Sequence, residues 1–158
     1  MTSRFLFVFV LFTTGCSRLE PLTESNLTAA EELWQSNVPG LYRAGIEISG
    51  ARVEAGTFEV LVRGGEVVSI TLDGQAVRPE RSEDYSISGL FGILRQELAL
   101  AREPQVLGAP AGYEAYLLVR FEPETGRLMH YRRTVGGASN SIDIEVVGFE
   151  VRSATGEP

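Results

Sequence analysis

Apolar residues recur at helical spacing in two stretches of the chain, which predicts two helices. The first helix covers residues 24–36. The second begins after Ser86 or Ser88, and either serine can cap it. The first helix ends at Asn37, Pro39 and Gly40, and Glu103-Pro104 ends the second. The apolar stripes are Leu27, Ala30, Leu33 and Trp34 in the first helix, and Leu90, Phe91, Ile93, Leu94, Leu98 and Ala101 in the second.

After each helix the apolar residues change to a spacing of two, which predicts three strands per helix. Arg63-Gly64-Gly65-Glu66 predicts a two-residue hairpin turn, because both central positions of that turn favour glycine. Residues 75–84 are polar, contain Pro79 and predict a loop. The residues expected to share a strand face are Tyr42, Ala44, Ile46 and Ile48; Phe58, Val60 and Val62; Val68, Ile70 and Leu72; and Tyr113, Ala115, Leu117, Val119 and Phe121, with further strands at 128–135 and 142–151.

This order of elements predicts an α+β fold. We expect an antiparallel sheet of about six strands with both helices packed on one face, because period-two strands with a polar opposite face suit that arrangement. Helix, three strands, helix, three strands also suggests two similar halves. Thr28 with Glu31 would form a capping box if the first helix starts late.

The N-terminus carries the pattern of an export signal. Arg4 precedes an unbroken apolar run at residues 5–12, which is too short for the roughly 20 residues of a membrane-spanning helix. Thr13-Thr14-Gly15-Cys16 then resembles the lipobox of bacterial lipoproteins. That resemblance implies cleavage between Gly15 and Cys16 and acylation, including palmitate, of the new N-terminal cysteine. The alternative is that Cys16 is only a small residue near a conventional cleavage site.

The predicted domain organisation follows from this signal. Residues 1–15 form a signal peptide, 16–23 a lipidated tether, 24–151 a single domain and 152–158 a flexible tail. Several acyl chains would hold the protein stably on a membrane. Because Ser17 is not the aspartate associated with inner-membrane retention of lipoproteins, we expect the periplasmic face of the outer membrane in an organism with two membranes.

Composition excludes several kinds of chemistry. The chain has 14 basic and 21 acidic residues, all the basic ones arginine, and a formal charge of -7, which argues against nucleic acid as a partner. A single cysteine excludes an intramolecular disulfide, and a single histidine excludes paired-histidine metal sites. We expect no cofactor and no metal site.

Five features together resemble a family of small secreted or lipid-anchored bacterial proteins classed as a domain of unknown function. They are Trp34, Tyr42, and the segments 62–70 (VRGGEVVSI), 86–94 (SISGLFGIL) and 119–128 (VRFEPETGRL). The resemblance covers residues 28–151 and rests on the order in which these five features follow one another along the chain. It implies an α+β fold in the cell envelope and no catalytic residues. Members often have two cysteines in the early strands, and this chain has neither.

Candidate catalytic residues are few. His130 is predicted mid-strand on the face shared with Leu128, Arg132 and Thr134, but the chain has no Gly-x-Ser-x-Gly motif to supply a nucleophile. Asp143 and Glu145 share a strand face, and Glu122 and Glu124 flank a turn. A solvated strand face explains these acids, and Arg120, Arg132 and Arg133 are expected to meet them across strands.

Leu61, Tyr116 and Leu118 are apolar on the strand face where polar residues are expected. They predict an interaction patch, unless a loop or the other half of the domain covers them. The sequence therefore favours a non-catalytic binding module that contacts an envelope protein or a small ligand, attached to the membrane through its N-terminal lipid. The alternative is an envelope hydrolase with a carboxylate site at Asp143, Glu145 and Glu122.

Overall fold

The computed structural model describes residues 18–51, 55–78 and 84–152. The predicted signal peptide, which ends at Gly15, and the predicted lipidation site Cys16 lie outside the described residues, as does the tail from 153 onward. The elements in chain order are β1 Glu20–Pro21, α1 Glu24–Asn37, β2 Leu41–Gly50, β3 Gly56–Arg63, β4 Glu66–Leu72, β5 Gln75–Val77, α2 Ile87–Ala101, a short 3₁₀ helix Pro104–Leu107, β6 Ala115–Phe121, β7 Leu128–Val135 and β8 Ile142–Val151.

All the strands form one antiparallel sheet in the order β1-β6-β7-β8-β2-β3-β4-β5. The α+β class is confirmed, but the sheet formed by the described residues has eight strands where about six were predicted. The two additional strands are β1 and β5, which lie at the two edges and are too short to show an alternation in the sequence. The suggested two-fold duplication is not confirmed.

One face of the sheet, the inner face, is covered by both helices. Buried side chains of α1, α2 and alternate residues of the strands form one hydrophobic core. Trp34 of α1 donates its Nε1–H to Ser88 Oγ of α2 at 3.1 Å, which joins the two helices. The opposite face, the outer face, carries mostly polar side chains. No helix in the described part of the chain is both long enough and apolar enough to cross a bilayer.

The helices begin at side-chain caps. Thr23 caps α1: its Oγ1 accepts from Asn26 N at 3.2 Å, while Asn26 Oδ1 accepts from Thr23 N at 2.8 Å. The helix therefore starts before Thr28, and the expected box of Thr28 with Glu31 is not the cap. Ser86, one of the two predicted caps, caps α2 by accepting from Gly89 N at 3.0 Å.

The predicted hairpin at Gly64-Gly65 is present, with φ values of +60° and +86°. The alternation beyond it was predicted wrongly, because Ile70 is buried while Val68 is 48% exposed. Leu61 pairs with Ser69 and Val62 pairs with Val67, so Val68 is the additional residue of a β-bulge. The bulge moves Val68 out of the core and brings Val67 against it.

The predicted loop at residues 75–84 begins with a strand. Asp73 and Gly74, at φ values of +49° and +78°, form a tight turn that pairs β5 with β4. Of the rest of this segment, residues 78 and 84 are described, and 79–83 lie outside the described residues.

Two positions of the second half also differ from the prediction. Tyr113 precedes β6 and is exposed, so it does not share the buried face of that strand. Leu128 is buried in the core and does not lie on the face of His130. Arg120 pairs with His130 and Phe121 pairs with Leu128, which makes Met129 an additional residue in β7 and shifts the alternation.

Candidate functional site

The three residues of the predicted patch do not lie together. Tyr116 is 58% exposed and Leu118 is half-buried, and both lie on the outer face of β6. Leu61 lies in β3, four strands away in the sheet order, which corresponds to roughly 19 Å at the usual strand spacing. The patch therefore consists of Tyr116 and Leu118, and Leu61 is not part of it.

Tyr116 and Leu118 line a groove of about 370 Å³ at the β6 edge of the sheet. One wall of the groove is the last turn of α2, and one end is closed by the chain around β1. Its surface is mainly apolar. The lining residues are Pro21, Leu22, Leu98, Ala101, Arg102, Ala115, Tyr116, Leu117 and Leu118.

The groove exists because β1 covers only part of the β6 edge. Pro21 pairs with Leu118, and Leu22 N donates to Leu117 O at 2.9 Å. Thr23 then caps α1 and the chain leaves the sheet. The sequence had assigned residues 16–23 to a tether, whereas Glu20 and Pro21 belong to the sheet and Leu22 is buried in the core.

The outer face carries an ionic cluster around Asp143. Asp143 Oδ1 lies 2.7 Å from His130 Nε2, and Asp143 Oδ2 accepts from Arg132 Nε at 2.6 Å. Because both of its carboxylate oxygens are engaged, Asp143 is a member of a cross-strand ion pair with Arg132 and is not a free general base. The expected contact between Arg132 and the acids of β8 is confirmed.

Of the three acids of the hydrolase alternative, Asp143 and Glu145 share one face of β8, whereas Glu122 has an ion pair of its own. Glu122 lies in the turn after β6, where it accepts from Arg127 Nη2 at 2.8 Å and from Thr125 Oγ1 at 2.5 Å. The hydrogen bond from Arg127, then that from Thr125, holds the pKa of Glu122 below its usual value. Glu145 lies directly opposite Glu47 of β2, on the sheet. Among the described residues, no three His, Cys, Asp or Glu side chains form a group that would hold a metal ion.

A buried polar network that the sequence did not predict lies beneath α2. Arg133 Nη1 donates to Glu97 Oε2 at 2.5 Å, and Tyr131 donates its hydroxyl to the same oxygen at 3.1 Å. Arg133 Nη2 also donates to Asn140 Oδ1 at 2.6 Å, and Asn140 Nδ2 donates to Leu107 O at 2.9 Å. Arg133 was expected to meet acids on the polar face, so this part of the prediction is wrong.

The sequence did contain the signal for this network. Arg133 lies on the buried face of β7, between Tyr131 and Val135 on that face, and Glu97 lies on the buried side of α2. Two opposite charges at core positions of neighbouring elements indicate a buried ion pair, since unpaired buried charges are costly. The network ties the β7–β8 loop to the 3₁₀ helix and serves the structure of the domain.

No family model matches this chain, and no curated protein does. The groove beside Tyr116 and Leu118 therefore has to be interpreted from its own geometry.

Proposed function

We propose that this chain is a lipid-anchored protein of the bacterial cell envelope whose domain binds an envelope protein, without catalysis, through the groove beside Tyr116 and Leu118. The observation that carries the proposal is the exposed Tyr116 ring, next to Leu118, over a mainly apolar groove of about 370 Å³. Tyrosine with an apolar neighbour beside a pocket is typical of protein-binding surfaces.

The sequence supports the proposed location in the cell envelope. The apolar run at residues 5–12 and Thr13-Thr14-Gly15-Cys16 favour export and acylation at Cys16, and Ser17 favours the periplasmic face of the outer membrane. The resemblance of residues 28–151 to small envelope proteins agrees with this location. The described domain begins close to the proposed anchor, because Glu20 lies only four residues after Cys16.

The lipid anchor is tested by intact-mass measurement and cell fractionation of the full chain and of Cys16→Ser, expressed in a bacterium with two membranes. We expect a diacylglyceryl mass addition and membrane retention in the wild type, and loss of both in the variant. An unmodified protein cleaved at another position and released as a soluble domain would contradict the anchor.

The binding surface is tested with a photoreactive amino acid at Tyr116, and at Leu61 as the matched control. Both positions are in strands on the outer face, but they are four strands apart. We expect covalent adducts with an envelope protein at position 116 and none at 61. Adducts at neither position, or at both equally, would contradict the proposed surface, and saturable uptake of a small hydrophobic ligand in the groove would replace the protein partner.

A further inference from the structure

We infer that the groove binds an extended segment of the partner protein, which adds to the sheet as a strand along the open part of the β6 edge. This inference rests on the proposed binding function and names the form of the ligand. Three observations carry it: the direction of the backbone groups of β6, the two-sided lining of the groove, and the path of β1.

Backbone groups at the start of β6 point away from the sheet. Gly136 N donates to Glu114 O at 2.9 Å, so Glu114 faces β7, and antiparallel pairing makes the next residue face the opposite way. Ala115 and Leu117 therefore point their N–H and C=O groups toward the edge. Leu117 O accepts from Leu22 N, but in the described part of the chain neither the Leu117 N–H nor either group of Ala115 has a partner.

The lining of the groove suits alternating side chains. Ala115 and Leu117 face the inner side, where Leu98 and Ala101 of α2 form the wall. Tyr116 and Leu118 face the outer side. A strand laid along this edge would place successive side chains on opposite faces, one against α2 and the next against Tyr116. Apolar residues at alternate positions are therefore the expected feature of the bound segment, and backbone hydrogen bonds would supply the rest of the affinity.

The described residues of β1 and its flanks cover only part of the β6 edge. β1 is antiparallel to β6, with Glu20 opposite Val119 and Pro21 opposite Leu118. Residues 18 and 19 therefore continue toward Phe121, whereas the open stretch lies in the other direction, toward Ala115. The chain after Leu22 turns into α1. The open stretch thus continues the line of β1 and is accessible to a segment of another molecule.

Proline substitution distinguishes this mode of binding. Ala115→Pro removes an N–H that points to the edge, and proline is tolerated at the first residue of an edge strand. Ala76→Pro is the matched control at the opposite edge. Leu72 and Gln75 close the tight turn before β5, so Ala76, opposite Thr71, also points its N–H away from the sheet.

The experiment selects a phage library of random linear peptides on the purified full chain and measures binding of the enriched peptides to wild type, Ala115→Pro and Ala76→Pro. We expect peptides with alternating apolar residues that bind wild type and Ala76→Pro equally and bind Ala115→Pro about tenfold more weakly, since a backbone hydrogen bond is lost and the proline ring blocks the edge. Thermal melts check that both variants fold. A second test leaves the protein unchanged and N-methylates each peptide either at its odd-numbered or at its even-numbered residues, which removes the backbone donors on one side of the strand. We expect one of these two methylation patterns to abolish binding.

Three results with the peptides would overturn the inference. The first is that no peptide is enriched. The second is that enriched peptides bind Ala115→Pro as well as wild type, and the third is that binding survives both N-methylation patterns. A concentration-dependent dimer that Ala115→Pro abolishes would also overturn it, since a second copy would then occupy the edge. The proposed function has its own test, and it fails if the photoreactive residue at position 116 forms no adduct with an envelope protein. If such an adduct forms but the partner binds Ala115→Pro as well as wild type, only the inference of strand addition is contradicted.

Discussion

Arg133 of β7 and Glu97 of α2 form an ion pair in the core, with Nη1 and Oε2 2.5 Å apart and only 4% of each side chain exposed. The pair receives a further hydrogen bond from the Tyr131 hydroxyl. A charge in such a position depends on its partner, because neither group can be solvated if the other is removed.

We therefore predict that Glu97→Ala lowers the free energy of unfolding by about 3–5 kcal/mol, the usual result of leaving one buried charge unpaired. Urea denaturation followed by circular dichroism measures the change. Glu31→Ala, which removes the exposed ion pair with Arg95 between the same two helices, is the control and should cost about 1 kcal/mol or less. Equal losses in the two variants would contradict the buried character of the Glu97 pair.

Gly126 allows the turn after β6 to approach α1 closely. Its φ is +74°, and a Cβ atom at this position would lie 2.0 Å from Ala30 O of the helix backbone. We predict that Gly126→Ala destabilises the domain by about 2–4 kcal/mol, since backbone strain and a clash with main chain add together. The thermal midpoint measures it.

Gly64→Ala is the control for that substitution. Its φ is +60°, but no atom lies within 4 Å of the added Cβ, so only the backbone strain of about 1–2 kcal/mol remains. If Gly126→Ala cost no more than Gly64→Ala, the close approach of the turn to α1 would be contradicted.

The regular parts of the fold could be predicted from the sequence because burial imposes a period on them. α1, α2 and the six longer strands show the spacing of one buried face. The irregular parts could not be predicted, since Val68 and Met129 are additional residues in bulges whose position depends on the partner strand. β1 was missed because its two residues are held by pairing with β6 and by the cap at Thr23, and not by any pattern of their own.

The candidate site was predicted in part for the same reason. Tyr116 and Leu118 could be assigned to the outer face from alternation in one strand. Leu61 was grouped with them because alternation gives the face and not the order of strands, and the order places β3 four strands from β6. The groove itself depends on where β1 ends, which no local pattern indicates.

The turn after β6 should lose stability at acid pH. Hydrogen bonds from Arg127 and Thr125 hold the pKa of Glu122 below its ordinary value in the folded protein. Its contribution is therefore fully present above the ordinary pKa of an unfolded-state glutamate and is lost as pH falls through the lower folded pKa. We predict that the free energy of unfolding of Glu122→Gln falls less than that of wild type between neutral pH and pH values below the folded pKa.

Urea denaturation across that pH range measures the difference. Glu124→Gln, in the same turn, leaves the pair of Glu122 with Arg127 intact and should keep the acid dependence of the wild type. If Glu122→Gln and wild type lost stability in parallel, the ion pair would not contribute to the acid transition.

Tyr116 should determine partner binding without determining folding. Its ring is 58% exposed, so replacement by glutamate removes no core contact and should change the free energy of unfolding by only about 0.5 kcal/mol or less. The same change places a charge on an apolar groove, and we predict that Tyr116→Glu weakens capture of the envelope protein cross-linked at this position by roughly 2 kcal/mol or more, as at an interface hot spot.

Biolayer interferometry with the purified partner, together with a thermal melt, measures both quantities. Val147→Glu is the control, since Val147 is similarly exposed at 53% but lies in β8, away from the groove. The control should bind like wild type. Equal capture by Tyr116→Glu and wild type would contradict the surface assigned here, and loss of the cooperative melt in Tyr116→Glu would show that the ring supports the fold, so that its exposure would not define a binding site.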